Sequence, residues 1–182
     1  MADITIDPTE FILVKYETPD IIAIAQRIAS GVGFPDDFPV RINIEESTPL
    51  TRVLIGTLTP LVLEVEGGAF EDPKRPRHLS VTNTGTALAR VLFQAHDRLF
   101  GGFAGVGLTG VSLEQQIAWD VTSYGRAERL GLTVPKQPRL YAFRNRHGFS
   151  DSADAVFDRL WNTDTLTWSD LVAVCEETAQ VR

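Results

Sequence analysis

Val40-Arg41-Ile42-Asn43-Ile44-Glu45-Glu46 places Val40, Ile42 and Ile44 at every second position, with Arg41, Asn43 and Glu45 between them. A period of two is what a β-strand with one dry and one wet face produces, and the rest of the chain is read outward from this heptad. Residues 52–58 and 61–70 are rich in Val, Ile and Leu. Pro60 between them has no backbone donor and predicts a turn or a sheet edge. Residues 78–82 are a candidate fourth strand, reached through Asp72-Pro73-Lys74-Arg75-Pro76-Arg77. Upstream, residues 4–6 and 11–16 are short β-prone runs.

Around these strands the period turns helical. Ile21, Ile24, Ala25 and Ile28 form one stripe behind Thr18-Pro19-Asp20, with Thr18 as cap, Pro19 in the first turn and Gly31 placed to end the helix. From Thr86, the residues Leu88, Val91, Leu92, Ala95 and Leu99 form a second stripe, backed by Arg90, Gln94, Asp97 and Arg98. The Gly-rich residues 101–110 break that helix. Ser112 and Gln115 form a capping-box start to a third helix through Leu113, Ile117, Val121 and Tyr124. Shorter helices are predicted near residues 153–161 and 168–178, the latter opened by Thr167 and Asp170. The fold class expected is α+β: a small, mostly antiparallel sheet packed with helices, and a helical C-terminal half. It is read as a single domain over residues 1–182, mixed to about residue 100 and helical from about 101.

The 182 residues are 43% apolar and 23% charged with a formal charge of -7, an ordinary globular balance that excludes disorder for most of the chain. No apolar run approaches the length of a membrane-spanning helix, the first residues lack the order of a signal peptide, and Cys175 is the one cysteine. A cytoplasmic protein with no membrane partner is expected. Eleven acids face four Lys or Arg in residues 1–70, six face eleven in 71–149, and seven face two in 150–182. A net acidic chain repels nucleic acid at long range, so an anion recognised here must be met by the basic middle.

Motifs with chemical meaning are few. Gly105-Val106-Gly107-Leu108-Thr109-Gly110 matches GxGxxG, but a helix precedes it instead of a strand, which favours a helix-to-helix loop over a dinucleotide site. His78, His96 and His147 have no metal-ligand spacing, so neither metal nor cofactor is expected. Glu64 and Glu66 share one strand face, as paired carboxylates of acid–base sites do. His96 and Glu66 are the weak candidate catalytic residues.

The strongest constellation is the run from Pro135 to Phe149, which carries Lys136, Arg139, Arg144 and Arg146, no acid, and interleaved aromatic rings. Guanidinium forks grip carboxylate or phosphate, and Tyr or Phe faces stack on flat groups. Arg139, Tyr141, Arg144, Arg146 and His147 are the expected binding residues. Were the run extended, Arg139, Tyr141 and Phe143 would point one way and Leu140, Ala142 and Arg144 the other. The alternative is an internal clamp, with these cations paired to Asp151, Asp154 and Asp158. A second basic cluster, Lys74 to His78, reads as a hairpin tip.

Helix, strands and then an amphipathic helix is an element order that resembles the core of zincin-like metallopeptidases, whose helix after the sheet carries HExxH. Here that helix reads Leu92-Phe93-Gln94-Ala95-His96-Asp97 at its centre, without the motif. The resemblance covers residues 19–100 at most and implies a degenerate, non-catalytic relative. The leading expectation is a non-enzymatic binding or interaction protein that uses the basic aromatic segment on an acidic partner surface or small anionic ligand. Its rival is a small hydrolase or transferase using His96 or Glu66 as base. Self-association as a homodimer through Trp119, Trp161 and Trp168 is a third reading.

Overall fold

Strand β1 (Asp3–Asp7) is followed by helix α1 (Thr18–Val32), and the chain returns in β2 (Pro39–Glu45) parallel to β1. A helical crossover of this kind is what a parallel pair requires. Residues 46–52 then carry the chain past one strand position to the sheet edge, where β3 (Val53–Leu58) runs. β4 (Leu61–Glu66) turns back between β3 and β2, giving the order β1-β2-β4-β3. β2 and β4 are parallel, and only β3 and β4 are antiparallel in this sheet. The α+β class holds, but the expected mostly antiparallel sheet does not. The helix between the first two strands dictates a parallel pair, and the β3 excursion adds a second.

The alternation around Ile42 sets the core. Ile4, Val40 and Leu61 sit side by side in register, as do Ile6, Ile42 and Leu63, and all six are buried. Ile21, Ile24, Ala25 and Ile28 of α1 are buried as the stripe predicts. The helix runs past Gly31 to Val32, and Gly33 at φ 102° closes it, a left-handed conformation that glycine adopts without strain. Its N-cap is Glu17, while the Thr18 hydroxyl donates to the Thr9 carbonyl at 2.7 Å.

Residues 11–16 form no strand. The Ile12, Leu13 and Val14 amides instead donate to the Glu46 carboxylate, at 2.9, 2.6 and 3.3 Å. A 3-10 turn (Gly67–Phe70) leads into a separate hairpin of β5 (Glu71–Asp72) and β6 (Arg75–Leu79), so the fourth-strand segment pairs locally and does not join the main sheet. Ser80 then accepts from the Asn83 amide and starts α2 (Val81–Leu99), several residues before Thr86.

The computed structural model describes residues 1–180, and contacts divide it into two compact units, Met1–His96 and a second beginning at Asp97. The second unit is helical: α3 (Leu113–Arg129), α4 (Lys136–His147), α5 (Asp151–Trp161) and α6 (Trp168–Ala179). Val181 and Arg182, the end of the expected domain, lie outside the described residues. Ser112 and Gln115 make the expected capping box on α3, and Thr167 with Asp170 makes another on α6. No helix among the described residues is long and apolar enough to cross a membrane.

Tyr16 couples the first unit to alkaline pH. The buried Tyr16 phenol donates to the Gly67 carbonyl at 2.7 Å, and burial, aided by the Glu71 carboxylate, pushes its pKa up to about 12. The fold holds the protonated phenol. Its contribution is complete below the ordinary value of about 10 and is lost as pH rises from there through about 12. We expect thermal melts between pH 10 and 12 to show a smaller loss of Tm in Tyr16→Phe than in the parent protein; equal losses would contradict this assignment.

Candidate functional site

The run from Pro135 to Phe149 is not extended. Pro135 is the N-cap of α4 and Pro138 sits in its first turn, where a missing N–H costs no hydrogen bond. A helix sorts the side chains by steps of 100°, so Arg139 and Arg146 fall on nearly the same line and Arg144 lies well around the helix from them. Phe143 and His147 form the buried side.

His147 belongs to the core and not to a binding surface: it is 0% exposed and stacks on Phe143 with ring centroids 4.0 Å apart. Its Nε2 lies 3.0 Å from the Glu114 carbonyl, which only accepts, so Nε2 carries a proton. Nδ1 faces the Thr178 hydroxyl at 2.8 Å. The ring therefore ties α4 to both α3 and α6.

Much of the positive charge is held by the next helix. Arg144 Nε donates to Asp154 Oδ1 at 2.8 Å and Nη2 donates to Oδ2 of the same carboxylate. These bonds hold the Asp154 carboxyl below its usual range and raise Arg144. Lys136 pairs with Asp158 at 2.9 Å, and its ammonium lies 5.4 Å from the Trp161 ring centre. The internal clamp is thus real for Arg144 and Lys136, on the α5 side of α4.

Arg139 and Arg146 are outside it. The Arg139 guanidinium lies 4.0 Å over the Tyr124 ring of α3, and its Nε is buried without a hydrogen-bond partner among the described residues. Arg146 is exposed and makes no hydrogen bond or ion pair with any described residue. It lines an open cavity of about 260 Å³ with Glu114, Arg144, Asn145, Gly148 and Phe149. Tyr141 and Phe149 are 61% and 66% exposed and meet edge to face with centroids 6.1 Å apart. Asn145 and Phe149 fall inside the run read from the sequence but outside the five binding residues expected of it.

The candidate catalytic residues belong to the first unit. Glu66 is on the wet face of the sheet, where Arg52 pairs with it at 2.8 Å and also donates its amide at 3.1 Å. The groove of about 280 Å³ that Glu66 lines holds Glu45, Glu64 and Arg52 but no histidine. Glu64 accepts from Asn43 Nδ2 at 3.0 Å. His96 is half-buried against Phe34, ring centroids 5.5 Å apart, near the Gly33 end of α1. His96 is not among the residues lining the Glu66 groove. Nor does the structure assemble the ligands a zincin metal needs: no group of three His, Cys, Asp or Glu suited to a metal ion occurs among the described residues. The basic tip Lys74 to His78 is the β5–β6 hairpin, with Arg75 paired to Asp72 at 3.2 Å.

Trp119 and Trp161 are buried, which removes both from the set of interface anchors, and Trp168 meets Phe103 edge to face at 5.9 Å. Compared with models of known families, with characterised proteins and with solved structures, the chain gives no significant match.

Proposed function

We propose that this chain is a binding or interaction protein, not an enzyme, and that the outward side of α4 meets an acidic partner or an anionic group. The observation that carries this reading is Arg146: an exposed guanidinium with no ion pair among the described residues, which shares an open cavity with Phe149, an exposed ring that in turn meets the exposed Tyr141. Solvated arginines are common, but large aromatic side chains left open in contact with one another are not, and such rings with Arg are what interfaces enrich. The cation selects an anion and the rings supply apolar area around it.

The test is binding of poly-glutamate to the full chain at low ionic strength, followed by isothermal calorimetry. Arg146→Glu reverses an exposed charge without touching the clamp, and is expected to weaken binding by about tenfold, since one charge-assisted contact is worth about 1.5–3 kcal/mol. Tyr141→Ala with Phe149→Ala should weaken it further. Affinity unchanged in Arg146→Glu would remove the proposal.

A further inference from the structure

Arg139 and Arg146 share more than the lack of an ion pair. Seven residues of α-helix turn through almost two complete circles, so the two side chains leave α4 along one line, with Cα atoms about 10 Å apart. Ala142 lies between them along the chain, and the acid-bearing helix α5 takes up Arg144 and Lys136, which leave the helix about 140° and about 60° around from Arg139. Neither Arg139 nor Arg146 makes a hydrogen bond or ion pair with a described residue. Arg139 is also held in place: its guanidinium carbon lies over the Tyr124 ring, 4.0 Å from the ring centre, so its position is set before any ligand arrives.

A stacked arginine cannot swing toward Arg146 without giving up that contact. A single small anion therefore engages one fork, while an anionic chain engages both. We infer that this line of α4 is a two-point reader of an acidic protein segment, one that presents two carboxylates about 10 Å apart, the spacing of residues two turns apart on a helix. The inference rests on the binding reading above and names its partner class. Charge complementarity chooses the class. Two unpaired guanidinium groups call for two carboxylates, whereas a nucleic acid presents a continuous phosphate charge to a chain whose net charge is -7.

The experiment uses the full chain, labelled with ¹⁵N, and three alanine-based helical peptides: two glutamates seven residues apart, two glutamates three apart, and one glutamate. The side-chain Nε–Hε signals of Arg139 and Arg146 report engagement of each guanidinium, for Arg139 through the rest of its fork because Nε itself is buried. With the seven-spaced peptide both signals are expected to move together, with affinity about tenfold above that of the one-glutamate peptide, the gain of making the second contact intramolecular. Arg139→Gln and Arg146→Gln should each bring that affinity down to the one-glutamate level. Arg139→Lys should do the same, because an ammonium lacks the planar fork. Circular dichroism melts establish that each variant is folded.

Equal affinity for the seven- and three-spaced peptides, or full affinity in Arg139→Gln, overturns the two-point reader and leaves the Arg146 surface standing. A single-stranded oligonucleotide that binds more tightly than every peptide overturns the partner class. Loss of poly-glutamate binding being absent in Arg146→Glu, with no peptide shifting either signal, overturns both readings at once.

Discussion

Gly125→Ala should lower stability by about 3 kcal/mol or more, although alanine is the better helix former by about 1 kcal/mol. Gly125 is in the middle of α3, and a Cβ there would lie 1.9 Å from the Trp161 carbonyl oxygen and 2.7 Å from its carbon. These are backbone atoms at the end of α5, so no side-chain rotation relieves the clash. Trp161 cannot retreat cheaply. Its carbonyl accepts from Arg129 Nη1 at 2.6 Å, and its indole donates to Glu128 at 2.7 Å. Arg129 also reaches the Thr163 carbonyl at 2.8 Å and Asp164 at 2.7 Å, a cation at the negative end of α5. Separating α3 from α5 by one methyl group therefore strains the whole corner. The expected fall in Tm is about 10 °C for a chain of this size. Gly107→Ala is the control: its nearest neighbour would be the Thr109 carbonyl at an ordinary 3.4 Å, and its change should stay within about 0.5 kcal/mol. A Gly125→Ala protein that melts with the parent would show that the helices do not approach as described.

What the sequence made legible follows from the range of the physics involved. Local effects were readable: the alternation at Val40, Ile42 and Ile44, the stripes of α1 and α2, the capping box of α3 and the Thr167 cap of α6 all depend on residues within one or two turns of each other. Pairing sense was not, because it depends on where residues 46–52 carry the chain, and no local pattern in them encodes a skipped strand position. The run at residues 11–16 shows the same limit: a carboxylate more than 30 residues away takes the amides of Ile12, Leu13 and Val14, and only Lys15 bridges a strand, at His78.

The site was legible as a composition and not as an arrangement. Nothing in Arg139, Arg144 and Arg146 distinguishes the one that Asp154 fills from the two it leaves; the helical phase of α4 does that, and the two early prolines hid the helix. His147 looked like a ligand for the same reason. Only the packing of α3 and α6 reveals that both its nitrogens are already engaged.

Asp97→Ala should be among the most damaging substitutions in the second unit, at about 3–5 kcal/mol. The carboxylate is buried and takes both arms of Arg126, at 2.7 and 2.6 Å, and the Trp119 indole N–H at 2.8 Å. Trp119 is in turn stacked on Phe103, centroids 4.1 Å apart, with the Arg98 guanidinium 4.2 Å from its ring centre. Burial pulls that guanidinium down to about 10, so it stays charged at neutral pH. Removing Asp97 alone thus leaves two buried cations without their counter-charge and an indole donor without an acceptor. The energy lost belongs mostly to the groups left behind. A double variant separates this from the strength of the pair itself. Asp97→Asn keeps an acceptor for Trp119, and adding Arg126→Met removes one of the two stranded cations, so Asp97→Asn/Arg126→Met should lose less stability than Asp97→Asn and Arg126→Met lose in sum. Urea midpoints measured for all of these variants, with equal m-values, decide it. Strictly additive losses would mean that Asp97 and Arg126 act independently, and the buried ion pair would then not be what anchors α3 to the end of α2.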